Sequence, residues 1–159
     1  MKLKNVILGV ALLVASMSFG QEKGDMSGFA GVTYPLYTGA NAGATVGIEY
    51  MFSDEIGVVP SFTYYFTPSG FTRYDIGGDL RYYLGGSDSL KYYGLGGFVY
   101  RLASVDILGT TVSANGTGFS AGGGLIYSMG ESFGVIAQVK YGTAGVGGIE
   151  PMVGFSFNF

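Results

Sequence analysis

From Ser27 to Phe159, apolar and polar side chains alternate along successive stretches, and each stretch ends in a break rich in Gly, Ser, Asp, Asn or Pro. A period of two is typical of β-strands, because neighbouring side chains point to opposite faces of a sheet. The pattern predicts eight strands, over residues 27–36, 42–52, 56–66, 71–84, 90–102, 116–128, 132–142 and 146–159. A chain with this pattern is expected to be all-β.

The two faces of these strands carry different side chains. On one face the strand centres are aliphatic and the ends aromatic, as in the second strand with Val46, Ile48, Tyr50 and Phe52. This order is typical of a surface that faces lipid, where aromatic side chains lie at both interfaces. The other face carries nearly all of the strand charges, namely Glu49, Arg73, Asp75, Asp79, Arg81, Lys91, Arg101, Lys140 and Glu150.

A soluble β-sandwich would also show alternation, with its apolar face buried and its charges in water. Such a sandwich needs a charged exterior, whereas only 12% of the residues here are charged. After the first twenty residues, no run reaches the ~18 apolar residues that a transmembrane helix requires. The sequence therefore predicts an all-β, eight-stranded antiparallel up-and-down transmembrane β-barrel, with the soluble sandwich as the alternative.

The N-terminus has the features of an export signal. Lys2 and Lys4 precede an apolar run over residues 6–15, and Ser18 and Gly20 are small residues placed for cleavage before Gln21. We expect residues 1–20 to be a signal peptide and residues 21–159 to be the barrel domain. Removing the two lysines leaves 8 − 2 = 6 basic residues against 11 acidic ones, a net charge of −5, which makes nucleic acid a poor partner.

The last eight residues, MVGFSFNF, alternate and end on an aromatic side chain. This segment resembles the terminal strand of outer-membrane barrels. With the export signal and eight strands, the chain is similar to the small barrels of the OmpA-transmembrane and OmpX type. The resemblance implies a bacterial outer-membrane location, contact with outer-membrane lipid, and recognition by the barrel-assembly machinery through Phe155, Phe157 and Phe159. The short connections 53–55, 85–89 and 129–131 would then be periplasmic turns.

The residue types limit the possible chemistry. The chain has no His and no Cys, which excludes a serine–histidine hydrolase and any disulfide. Asp75 and Asp79 share a face but lie about 13 Å apart at ~3.3 Å per residue, too far to share a proton. We therefore expect no enzymatic activity and no catalytic, cofactor or metal site. Four inward acids facing five inward bases instead predict a network of ion pairs that fills the lumen.

The predicted lumen leaves two functions open. An eight-stranded barrel is just wide enough for side chains to fill, which favours a closed lumen and a structural or surface-contact role. A narrow porin-like channel for ions or small solutes is the alternative, since many inward positions are glycine. These glycines either leave room for a path or allow close strand packing, and they are Gly31, Gly47, Gly57, Gly77, Gly97, Gly122, Gly124 and Gly134.

One long connection and two prolines lead to further structural predictions. The connection over residues 103–115, ASVDILGTTVSAN, is either a flexible surface loop or a hairpin that prolongs the fifth and sixth strands. A hairpin there would offer an edge to a protein partner by strand addition. Pro60 and Pro151 fall inside predicted strands, where a proline cannot donate to the ladder, so we expect a β-bulge at each.

Overall fold

A computed structural model describes residues 23–87, 89–107, 110–145 and 147–159. The predicted signal peptide, residues 1–20, lies outside the described residues. The strands are β1 (Met26–Thr33), β2 (Gly43–Met51), β3 (Ile56–Tyr65), β4 (Phe71–Gly86), β5 (Leu90–Ile107), β6 (Thr110–Ser128), β7 (Phe133–Gly142) and β8 (Gly148–Asn158). Within the described part of the chain, no helix is long and apolar enough to cross a membrane.

Each strand pairs antiparallel with the next, and the first pairs with the last. The closing contact is β1 with β8, from Ser27 opposite Asn158 to Thr33 opposite Met152. The result is a closed barrel without a free sheet edge over this part of its height. The predicted eight-stranded up-and-down barrel is confirmed.

The two ends of the barrel differ. One end, here the turn end, has the three tight connections and both ends of the described chain, and the Phe159 amide donates to Met26 O there at 3.1 Å. Serines shape two of these turns: the amides of Ile56 and Leu90 donate to Ser53 Oγ and Ser87 Oγ. At the opposite end, the loop end, β1 is followed by β2, β3 by β4, β5 by β6 and β7 by β8.

The alternation sorts side chains to the two faces as predicted. The apolar positions of β2 lie on the outside, where Val46 and Ile48 are about half exposed, while Glu49 between Ile48 and Tyr50 is buried. In water such a surface would be unstable, and in lipid it is the favourable one. The interior also contains apolar side chains: Val59, Leu95, Ile126 and Ile136 are buried, and Val99 is partly buried.

The bulges expected at the two prolines are wrong. Opposite Pro60 the β2–β3 ladder is interrupted, yet the pairs on either side, Gly47 with Ser61 and Tyr50 with Val58, keep one register. Pro151 lies one residue beyond the last β1–β8 pair, and its carbonyl accepts a bond from the Tyr34 amide at 3.0 Å. The missing proline donors are therefore tolerated by a gap in one ladder and by the end of another.

The largest departure from the predicted bounds is the β5–β6 pair. These strands were predicted to end at 102 and begin at 116, but they continue to Ile107 and Thr110. The flexible-loop alternative is wrong, and the hairpin alternative is confirmed. The strands are longer than predicted because the β5–β6 ladder continues from Leu102 opposite Asn115 to Ile107 opposite Thr110. The other strand ends differ from the predicted ones by a few residues at most.

Candidate functional site

The lumen holds three groups of polar side chains, and the one nearest the turn end is centred on Arg81. Its Nη1 lies 3.0 Å from Glu49 Oε2, and its Nη2 donates to Gln138 Oε1 at 3.1 Å. Two phenols complete the group, because Tyr83 donates to Glu49 and Tyr93 to Gln138. All five side chains are buried. This turn-end cluster ties strands β2, β4, β5 and β7 together across the lumen.

A smaller group lies near mid-height. Lys140 Nζ lies 3.0 Å from Asp79 Oδ2, and Ser120 Oγ donates to Asp79 Oδ1 at 2.8 Å. Asp79 therefore has a cation and a hydroxyl of its own, whereas Asp75 belongs to the next group. The two aspartates therefore have different partners and do not form a pair. Their spacing on one strand predicted this separation.

The third group, the loop-end cluster, is centred on Arg101. Its Nε donates to Asp75 Oδ1 at 2.9 Å and its Nη2 to Asp75 Oδ2 at 2.6 Å, a two-point contact between guanidinium and carboxylate. Nη2 also lies 3.1 Å from Glu150 Oε1. The remaining nitrogen, Nη1, donates to the Ala144 carbonyl at 2.6 Å. Arg101 thus joins two luminal acids to the β7–β8 connection above them.

Arg73 lies beside this cluster at the loop end. Its Nη2 lies 3.7 Å from Asp75 and 3.9 Å from Glu150, and its guanidinium stacks 3.9 Å from the centre of the Tyr65 ring. It also donates to the phenol oxygen of Tyr37, in the β1–β2 connection. Two connections at the loop end are therefore held by luminal arginines.

Among the described residues, eight of the nine sequence-predicted luminal charges meet in six ion pairs. The ninth, Lys91, lies at the turn end of β5, in register between Gly86 and Ile126. Sequence analysis did not single out the neutral partners Tyr65, Tyr83, Tyr93 and Ser120. Their positions on the inward face of the alternation were the signal that could have found them.

The inward glycines make room for neighbours. A Cβ at Gly47 would lie 2.4 Å from the Phe29 ring, one at Gly57 would lie 2.4 Å from Glu49 Oε1, and one at Gly124 would lie 2.5 Å from the Tyr93 hydroxyl. The space beside each of these glycines is filled by a large side chain from the neighbouring strand. The structure thus supports close packing as the reason for glycine at these positions.

One cavity, of about 30 Å³, lies between the turn-end and loop-end clusters. A cavity needs roughly 10–15 Å³ to hold one water, so this volume corresponds to about two waters. Its wall includes Thr45, Ser61, Thr63, Asp79, Lys140 and Glu150, and the Thr45 and Thr63 hydroxyls lie 2.9 Å apart. The described residues contain no group of three or more His, Cys, Asp or Glu side chains placed to hold a metal ion.

The β5–β6 hairpin rises beyond the barrel at the loop end. The last β6–β7 pair is Ser120 with Gly142, so residues 110–118 of β6 pair with β5 alone, over about 30 Å of strand at ~3.3 Å per residue. Phe119 N and O contact Thr143 on the β7 side. By the period of two, the amides with odd numbers, at Thr111, Ser113, Asn115 and Thr117, face the open edge.

Polarity reverses along this hairpin. Within the barrel the outer face of β5 and β6 is apolar, and Phe119 is 76% exposed. Above Phe119 the same face still carries Tyr100 and Leu102 on β5 and then becomes polar, with Ser104, Asp106, Thr111, Ser113, Asn115 and Thr117. The face over the barrel mouth carries Ala103, Val105, Val112 and Ala114. A surface that changes from aromatic to polar marks the edge of the lipid layer. The hairpin therefore stands in water.

Of the three aromatic residues predicted as an assembly signal, Phe155 and Phe157 lie on the outer face of β8, and Phe159 directly follows this strand. Phe155 is half exposed and its ring stacks on Phe133 with centroids 5.3 Å apart. Phe157 packs against the same ring at 5.6 Å. The Phe159 ring covers Gly28, where a Cβ would lie only 2.9 Å from it. These contacts join β8 to β7 and β1 at the turn end.

No protein-family model and no curated protein matches the sequence. Solved structures do match it. The N-terminal β-barrel domain of Pseudomonas aeruginosa OprF superposes with a TM-score of 0.68 at 19% identity, over 87% of this chain and 98% of that one. This chain has the fold of the small outer-membrane β-barrels. The outer membrane protein OprG of the same organism gives 0.67 at 17% identity, over 88% and 98% of the chains. Neisserial surface protein A gives 0.66 at 18%, over 89% and 100%.

Proposed function

We propose that this chain is a non-enzymatic integral protein of the bacterial outer membrane, with a closed lumen, whose β5–β6 hairpin contacts another protein. The apolar outer band and the fold shared with outer-membrane barrels support the location. In this placement the loop end faces outward and the acidic turns face the periplasm. The outer-membrane lipid is then the solvent for the band of aliphatic and aromatic side chains.

The observation that carries the contact role is the open edge of β6 over residues 110–118. Exposed strand edges are usually protected by lysine, proline or a bulge, since they pair readily with other chains. This segment, TTVSANGTG, has no charged residue and no proline, and its described pairing with β5 shows no shift of register. An extended segment of a partner could add to it as a further strand.

In a protein with this contact role, we expect the lumen to be closed. Arg81 and Arg101 occupy the lumen at two heights, each bound to a carboxylate from another strand. The space between them has the volume of about two waters, as judged from the 30 Å³ cavity. A solute would have to separate both buried ion pairs to pass, and separating buried charges without replacing their partners is costly.

Site-specific photo-crosslinking in the outer membrane of a bacterial host tests the contact role. A photoactivatable amino acid at Asn115 is expected to give discrete protein adducts, because this residue lies on the open edge. The matched control is the same amino acid at Leu84, which is 70% exposed on the lipid-facing surface near the turn end. Adducts at neither position, or equally at both, would contradict a hairpin-specific contact.

A narrow channel is the second candidate, and the polar wall of the cavity favours it. Hydroxyls of Thr45, Ser61 and Thr63 line the space between the two clusters, as a water-filled path would require. Rearrangement of the loop-end cluster would connect this cavity to the outside.

We also propose that Phe155, Phe157 and Phe159 serve as the contact for the barrel-assembly machinery. Their alternation along the exposed face of β8 supports this, as does the resemblance to outer-membrane terminal strands. Phe159→Ala is expected to slow insertion in cells more than refolding in detergent, because only the first requires recognition. Equal slowing in both would point to the ring's contact with Gly28 instead.

A further inference from the structure

We propose that Arg101 holds the hairpin in place, by fixing the β7–β8 connection on which the root of β6 rests. This inference rests on the proposed contact role, since it concerns what positions the same hairpin. Arg101 is a positioning residue in this account and does not touch the partner.

Arg101 lies between the luminal acids and the β7–β8 connection. Its Nε and Nη2 are bound by Asp75, Nη2 also by Glu150, and Nη1 donates to Ala144 O at 2.6 Å. A guanidinium is planar and rigid, so a carboxylate that fixes one edge also fixes the direction of the others. The luminal acids therefore determine where the Ala144 carbonyl is held.

Ala144 in turn packs against β6. Ala144 is 1% exposed, and a Cβ at Gly118 would lie 2.3 Å from its backbone nitrogen. The connection lies directly on the β6 backbone and fits only because Gly118 has no side chain. Next to it, the Thr143 amide donates to Phe119 O at 2.9 Å, and the Phe119 amide donates to Thr143 Oγ1 at 2.8 Å.

The two strands of the hairpin are held unequally. On the β4 side, β5 pairs with β4 as far as Val105 opposite Phe71, and the Asp106 amide donates to Gly70 O at 2.8 Å. On the β7 side, the described contacts at the base of the hairpin are those of residues 143–144 with Gly118 and Phe119 of β6. The β4 ladder thus holds β5, whereas β6 pairs with β5 alone over residues 110–118. The position of β6 on its open side therefore depends on the connection that Arg101 holds, and so on the ion pairs inside the lumen.

A matched pair of glycine substitutions tests whether the contact between Ala144 and β6 holds the hairpin in position. Gly118→Ala places a methyl group into Ala144, whereas Gly116→Ala, two residues away on the same face, meets nothing within 4 Å. Because the chain has no Cys, spin labels can be placed at Ser113→Cys and Leu84→Cys and their distance measured by electron paramagnetic resonance. We expect Gly118→Ala to broaden the distance distribution and Gly116→Ala to leave it narrow.

Arg101→Gln tests the link to the lumen, with Lys140→Gln as control, since Lys140 pairs with Asp79 and its described contacts do not include the connection. Broadening in Arg101→Gln but not in Lys140→Gln supports the proposal. An unchanged distribution in the folded fraction of both Gly118→Ala and Arg101→Gln overturns it, as does equal broadening in Lys140→Gln. This readout needs no partner, so the absence of adducts at Asn115 would count against the contact role alone.

Discussion

Arg81 and Glu49 lie 32 residues apart in the sequence and form an ion pair of 3.0 Å, with only 2% and 1% of their side chains exposed. Glu49 also accepts a bond from Tyr83 at 2.8 Å. This pair shows how the lumen is filled: the charge of one strand is neutralised by a strand that is not its direct neighbour, so β2 and β4 are joined across β3.

Glu49→Gln is expected to destabilise the folded barrel by about 3–5 kcal/mol, the typical cost of leaving one member of a buried ion pair without its partner. The measurement is the midpoint of denaturant unfolding in lipid vesicles. Glu131→Gln, at an exposed turn position, is the control and should leave the midpoint unchanged. Similar midpoints for both variants would show that the turn-end cluster does not hold the barrel together.

Gly57→Ala is expected to lower stability by about 1–3 kcal/mol, the usual range for overfilling a packed interior. Its Cβ would lie 2.4 Å from Glu49 Oε1, whereas a Cβ at Gly94, on the lipid-facing surface, meets nothing within 4 Å. Gly94→Ala should therefore be tolerated. If Gly57→Ala were equally well tolerated in the same unfolding measurement, the lumen would contain more free space than the structure shows.

Amide exchange in the hairpin is expected to alternate. The even-numbered amides from Val112 to Gly118 face β5 and should exchange slowly, while the odd-numbered amides from Thr111 to Thr117 face the open edge and should exchange rapidly. Nuclear magnetic resonance of the barrel in nanodiscs measures both sets. Protection at the odd positions in the absence of a partner would mean that the edge is already covered.

A lysine substituted on the outer face tests whether that position lies in the lipid layer. Leu80→Lys is expected to cost about 2–4 kcal/mol, the range for a lysine near the middle of the bilayer. Leu80 is 57% exposed on the outer face of β4. Ser113→Lys, on the part of β6 above the polarity reversal, should have little effect on unfolding in the same vesicles. A comparable loss for both would place the hairpin within the membrane.

The barrel could be predicted from the sequence because its two faces differ in chemistry at every second residue. Glu49 between Ile48 and Tyr50 shows this clearly, since one position is buried and its neighbours face outward. The strand ends were harder to predict. The hairpin reverses its polarity above Phe119, so the apolar outer face that marked β5 and β6 disappears while the ladder continues.

The pairing inside the lumen could not be predicted in the same way. Alternation assigns Arg81 and Arg101 to the inner face, but it does not say which acid each will meet across a closed sheet. That depends on the register between strands, which places Asp75 opposite Arg101. The β-bulges predicted at the prolines were wrong for a related reason. The cost of a proline's missing backbone N–H depends on whether the neighbouring strand pairs at that point.

Ion conductance of residues 21–159, refolded into a planar lipid bilayer, tests the closed lumen most directly. We expect a folded, inserted protein that passes no steady current, because the turn-end and loop-end clusters leave a cavity of only about 30 Å³ between them. Stable, discrete openings from the folded protein would contradict it, and would make the narrow channel the function of the barrel.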